Sequence, residues 1–220
     1  MPRRGSSAIV RAEMRRAAES RTDVRKLTVD DIVDLRAYER DRDDFRRHII
    51  ELKRTRRVGI GSLMSIVFEN TDTMRWQVQE MARAERMLRD EQIEHEVETY
   101  NELIPDPGEL SGTLMLELTS DAVLREWLPK LVGIEDHIVF TFGDGSTARG
   151  KVSEEDEERL TRDDTTAAVH FLKFELTPSQ IAAFVGGPVR LGSDHPAYDH
   201  HTALDAMQRE ALAADLRDDA

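Results

Sequence analysis

The tripeptide Gly143-Asp144-Gly145 stands between two short strand-like runs, His137 to Phe142 and Ser146 to Val152. A glycine-rich link this short joins two strands only as an antiparallel hairpin. That one feature excludes a purely parallel, doubly wound sheet, whose strands need crossovers of a dozen residues or more. The other apolar patterns must be fitted around it.

Thr28 and Asp31 have the spacing of a capping box ahead of Ile32. A helix is expected from Asp41 to about Arg56, with Phe45, Ile49 and Leu52 inward and Lys53, Arg54, Arg56 and Arg57 closing it against the helix dipole. Leu63 to Glu69 reads as a strand. The turn Asn70-Thr71-Asp72-Thr73 then opens a helix to about Arg89, with Met74, Val78, Met81, Ala82 and Leu88 as its core stripe. Further helices are expected over Glu91–Tyr100, Asp121–Leu131, Pro178–Phe184 (capped by Thr177) and Ala203–Leu216. Leu110–Leu118, Thr166–Leu176 and Pro188–Gly192 read as strands, and Ser193–Thr202 as an irregular, histidine-rich loop. Strands and helices interleave without a regular repeat. The pattern predicts an α+β fold with a mixed, mainly antiparallel sheet of about five strands packed with several helices.

The chain has 220 residues, no cysteine and a net charge of −13. Without cysteine it forms no disulfide, no cysteine-ligated cluster and no thiolate zinc site of its own. Residues 1–26 hold eight basic and three acidic side chains, so a head of +5 precedes a body of −18. The expected organisation is a basic N-terminal extension over 1–24, one α+β domain over 25–204 and an acidic C-terminal helix or tail over 205–220. The head has no aromatic residue for base stacking or bilayer anchoring, which opposes nucleic acid and membrane as partners. It reads as a solvated extension with one helical stretch over Ala8–Ser20. No apolar run approaches the roughly 20 residues of a membrane helix, and a cytoplasmic protein is expected. The acidic run Glu154–Asp164 reads as a solvated loop or short exposed helix.

Chemistry must therefore rest on histidines and carboxylates. Asp194, His195, Tyr198, His200 and His201 cluster in Ser193–Thr202, and imidazole with carboxylate suits Zn²⁺ or Fe²⁺. The same loop also reads as capping and hydrogen bonding, or as a metal-free acid–base or ligand site. His170 shares an alternating face with Leu172, Phe174 and Leu176, as a buried histidine with one satisfied nitrogen or as a partner of His195 in one pocket. Gln79, Glu80 and Arg83 form either a solvated, salt-bridged helix face or an ion pair lining a cavity, with Glu69 a further carboxylate just before that helix. Glu91 and His95, four apart, read as a solvated face.

Several separated segments resemble one family. They are Arg25-Lys26-Leu27-Thr28 with Asp31-Ile32, Val78-Gln79-Glu80-Met81 with Arg83 and Glu85, and Tyr100 to Pro105. Ala168 to Leu172 with Phe174-Glu175-Leu176, and Asp194-His195-Pro196 with Tyr198 and His200, complete the set. In this order they resemble the bacterial domain-of-unknown-function family 3501, over roughly residues 25–202. The resemblance carries no established activity. It implies an association with rubrerythrin-like and iron–sulfur oxidoreductase proteins, and hence with iron or peroxide handling. His201 stands outside the family's motif.

Three readings result. One is a metal-binding accessory protein of a redox or oxidative-stress system, with iron or zinc held by His170, His195 and His200 and by Glu69 or Glu80. Arg83, Gln79, Asp194 and Tyr198 would then form the supporting shell. The second is a metal-free interaction or assembly module whose acidic face docks a basic partner. The third is a small-molecule hydrolase using His195 and Glu80 as acid–base groups.

Overall fold

The structure, a computed structural model, describes residues 24–152 and 165–217. The expectations for Ala8–Ser20 and Glu154–Asp164 lie outside the described residues. The fold is α+β, with six α-helices and eight strands among those residues. The strands form two four-stranded antiparallel sheets rather than one sheet of about five. The first sheet has the order β1 (Arg57–Ile60), β2 (Met64–Phe68), β3 (Glu109–Leu116) and β6 (Val169–Glu175). The second has the order β5 (Thr147–Arg149), β4 (Ile138–Phe142), β7 (Val189–His195) and β8 (Tyr198–Ala203).

The inner faces of the two sheets share one core. Phe140 of β4 meets Phe174 of β6 at 4.9 Å between ring centroids and Phe68 of β2 at 5.7 Å. Phe184, from helix α5 (Pro178–Gly186), closes the cluster at 5.8 Å. Leu212, Ala213 and Leu216 extend that core. The C-terminal helix α6 (Ala206–Asp215) thus packs into the domain. At the sheet edges Lys151 pairs with Lys173, and Thr202 donates to the Gly59 carbonyl at 2.7 Å.

Two sequence expectations give way here. Gly59 lies within β1 and Gly61 in the turn of a hairpin between β1 and β2, and β1 itself was not expected. Gly61 has φ +59, and a Cβ there would fall 2.3 Å from the Tyr198 hydroxyl, so both conformation and space require glycine. Residues 193–202 are not an irregular loop; they are the β7–β8 hairpin, closed by Pro196-Ala197. The alternation was hidden because the buried positions of this hairpin include Ser193, His195 and Tyr198 rather than aliphatic residues.

Helix α1 (Leu35–Arg56) starts six residues earlier than expected, because the Asp34 carboxylate caps the amides of Arg36 and Ala37. It packs on α2 (Thr71–Ala84), where Tyr38 and Phe45 hold Trp76 edge-on at 6.3 and 5.4 Å. Arg86 adopts φ +55 just after α2, and Leu88, expected in the core, is 79% exposed. Helix α3 (Asp90–Asn101) matches the expected span within a residue and packs through Val97. Helix α4 (Asp121–Trp127) is capped by Ser120.

Arg56, from a basic run that reads as a helix-end flourish, is 2% exposed. It donates to the carbonyls of Phe68 at 2.8 Å and Glu69 at 3.1 Å, and pairs through two nitrogens with Asp215. Burial pushes the Asp215 carboxyl up, against the pull of Arg56. Truncating one member of such a pair strands the other in a dry site. Arg56→Met is therefore expected to cost about 3–5 kcal/mol in urea unfolding, and Arg56→Met with Asp215→Leu to recover most of that loss. A single variant as stable as the parent would show that the pair contributes nothing.

Candidate functional site

Three histidines, His137, His170 and His195, gather around a 3-10 turn, Ile134–His137, that leads into β4. Gly133 at φ +82 opens the turn, and Ile134 anchors it in the core. Alternate residues of the turn then serve two different neighbours. Glu135 is buried, and its Oε2 lies 3.8 Å from His170 Nδ1. The other ring nitrogen of His170 sits 3.0 Å from both the Ala167 carbonyl and the Thr166 hydroxyl. A carbonyl only accepts, so Nε2 carries the proton. His170 is 1% exposed, and burial lowers its pKa below the ordinary value against the opposing pull of Glu135.

His137 serves the outer side. Its Nδ1 lies 2.8 Å from Asp194, whose two oxygens also take the Arg149 guanidinium at 2.9 and 2.5 Å. The Arg149 contact holds the Asp194 carboxyl well below the usual carboxylate range, with His137 adding to the effect. His195 stands edge-on to His137 at 4.9 Å. Its Nε2 donates to the Val132 carbonyl at 3.2 Å, and its Nδ1 accepts from the Ala197 amide at 3.2 Å. Both nitrogens of the neutral ring are therefore engaged, and no lone pair is left for a cation.

The remaining sequence candidates lie elsewhere. His200 is exposed on edge strand β8, its ring 4.3 Å from that of Tyr198. Tyr198 has a structural duty: its hydroxyl donates to the Ile60 carbonyl and accepts from the Leu63 amide, each at 2.9 Å, clamping the β1–β2 turn. Glu69 pairs across from Ser111 on the outer face of the first sheet, while His170 points to the inner face. A sheet thus separates two residues that the metal reading placed in one shell. Glu80 accepts from Tyr38 at 2.7 Å and from Arg42 at 2.8 and 2.7 Å, filling its carboxylate at the α1–α2 contact. Arg83 pairs with Glu39 rather than orienting Glu80. Gln79 clamps Val33 through the amide at 3.1 Å and the carbonyl at 2.9 Å.

Among the described residues, no group of three or more His, Asp or Glu is arranged to hold a metal ion. The residues expected to form one centre are dispersed, each with its own partners. Sequence reasoning missed Glu135, Thr166, His137 and Arg149. Glu135 and His137 were legible only as residues two apart just before a strand, a spacing without a distinctive signature.

A second feature was absent from the expectations. A groove of about 420 Å³ runs between the C-terminal half of α3 and the outer face of the first sheet. Ser111, Phe171 and Lys173 form its floor, and Lys26, Glu98, Glu102 and Leu103 its wall.

The buried His170 supplies a pH test. Its folded-state pKa lies below the unfolded value of 6.5, so the unfolded chain takes up a proton that the folded one resists. This contribution to stability is complete above that pH and declines as the pH falls below it. Melting temperatures at about pH 7.5 and about pH 5.5 should differ in the parent and differ less in His170→Gln. An unchanged difference in the variant would assign the acid sensitivity to other groups.

Residues 26–216 match the model of a family described as protein of unknown function, DUF3501. A crystal structure of a novel protein of unknown function from Burkholderia pseudomallei is similar to the chain at 34% identity and a TM-score of 0.81. The match covers 88% of this chain and 100% of that one. Among curated proteins, none matches the chain.

Proposed function

Because the chain belongs to the DUF3501 family, of unknown function, we propose its role from its own surface chemistry: it is an interaction module that docks a partner's basic surface on the acidic face of α3. The observation that carries this reading is a charge imbalance. From Asp90 to Leu124 the sequence has ten carboxylates and no lysine or arginine. Asp90, Glu91, Glu94, Glu96 and Glu98 lie on α3, with Glu102 just beyond it. None of the six has an ion-pair partner among the described residues. Glu94, Glu98 and Glu102 follow one another at four-residue intervals, an arrangement that repels itself by about 0.2–0.5 kcal/mol per pair. A cationic partner relieves that repulsion.

The alternatives have weaker support. Iron or zinc at His170, His195 and His200 would require His195 to abandon two hydrogen bonds and His170 to leave the inner face of its sheet. A hydrolytic pair of His195 and Glu80 would have to break the Arg42 and Tyr38 contacts that fill Glu80. The rubrerythrin-like or iron–sulfur partner implied by the family resemblance belongs to the docking reading, as the first protein to try against α3.

An oligolysine peptide provides the test by calorimetry. It should bind at about 20 mM salt and release by about 300 mM, as screening shortens the range of the charges. Neutralising Glu94, Glu98 and Glu102 to glutamine should weaken binding at least tenfold, on the order of 1.4 kcal/mol, while slightly raising the melting temperature. A control carrying Glu51→Gln, Glu126→Gln and Glu175→Gln removes the same charge elsewhere and should bind as the parent does. Equal weakening in both variants would mean that only total charge matters, and the assignment to α3 would fall.

A further inference from the structure

The groove beneath the acidic face differs from a mere cluster of carboxylates. Ser111 is 2% exposed and lines the groove floor, yet its hydroxyl makes no hydrogen bond within the described protein. Directly across from it, just past the end of β2, Glu69 is also buried; its Oε1 accepts from Thr113 at 2.7 Å, while its Oε2 has no hydrogen-bond partner. A buried carboxylate oxygen without a partner, which is uncommon in a finished interior, thus lies beside a hydroxyl that has no protein partner and opens on the groove.

The charges around them have a definite sign. Lys26 is fully engaged, donating to the carbonyls of Asn101 at 3.1 Å and Ile104 at 2.6 Å and pairing with Asp106 at 2.9 Å. Lys173 has the Glu109 carboxylate 3.8 Å away. The two cations of the groove thus have their counter-charges, whereas Glu98 and Glu102 on its wall have no ion-pair partner among the described residues. Phe171, half-buried, offers a ring to the same space. Uncompensated carboxylates, a free hydroxyl and an aromatic face together suit a planar cation with several donors.

We infer that this groove seats an arginine side chain of the docked partner, with Glu98 and Glu102 taking the guanidinium, Ser111 accepting a further N–H and Phe171 stacking against the plane. The inference rests on the docking reading above and adds to it the residue that anchors the partner. An ammonium group satisfies the outer acidic ladder equally well. Only a guanidinium uses the fork of acceptors and the ring together.

The test is an NMR titration of the full chain with N-acetyl-argininamide, a guanidinium side chain between neutral amides, and with its uncharged isostere N-acetyl-citrullinamide. The arginine derivative should shift the amide signals of Ser111, Phe171 and Asn101, and the citrulline derivative should not. In Ser111→Ile, which fills the floor but leaves every carboxylate of α3 in place, arginine binding should weaken at least tenfold while oligolysine binding stays unchanged. Ser111→Ala, a smaller change, should weaken it less and guards against a misfolded isoleucine variant. Equal shifts from both derivatives, or arginine binding undiminished in Ser111→Ile, would overturn the inference while leaving oligolysine docking intact. Free L-arginine binding at least tenfold tighter than the amide would also overturn it, assigning the groove to a metabolite instead of a partner. Loss of oligolysine selectivity, by contrast, is the failure of the docking reading alone.

Discussion

The Arg56 guanidinium lies out of water in the middle of the molecule, and it is tolerable there only because its donors are met from three directions. Two backbone carbonyls at the end of β2 and the carboxylate of Asp215 surround it. One side chain thereby ties the end of α1 to the strand that leads into α2 and to the last turn of α6, 159 residues further along. Burying such a pair is not a cheap way to gain stability. What it does is join three separate elements, the ends of α1 and β2 and the last turn of α6, at one point.

The same economy governs the other polar groups of the interior. Tyr198 clamps a turn, Gln79 a loop, Glu80 joins two helices, and Asp194 gathers His137 and Arg149 at the rim of the second sheet. These are residues that a sequence reader assigns to a site, because histidine, tyrosine and carboxylate are the vocabulary of catalysis. In this fold they are the vocabulary of assembly. Ser111, whose hydroxyl lines the groove under the acidic helix, and Glu69, one oxygen of which has no hydrogen-bond partner, are less conspicuous in sequence.

How far the fold was legible depended on which residues carried the pattern. The hairpin at Gly143-Asp144-Gly145, the Thr177 cap and the span of α3 follow from local chemistry and were readable. The β7–β8 hairpin was not, since its buried row holds serine, histidine and tyrosine where a strand signal expects aliphatic residues. Arg56 and Asp215 sit in charged stretches that read as surface, and only their meeting makes them core. The candidate site was less legible still. His170 was rightly placed on an apolar row, but the face on which Glu69 lies depends on strand pairing that one sequence does not reveal.

The central claim is that the buried imidazoles are committed to the protein's own backbone, so that binding capacity lies at α3 and the groove beneath it. The most direct measurement is a nitrogen-resolved NMR spectrum of the imidazole rings, recorded without metal and again with equimolar zinc or, without oxygen, ferrous iron. His170 and His195 are expected to show neutral rings protonated at Nε2, with resonances unmoved by either ion. A shift of both residues' nitrogens on adding metal, together with loss of the His195 contact to Val132, would contradict the claim and restore the metal centre.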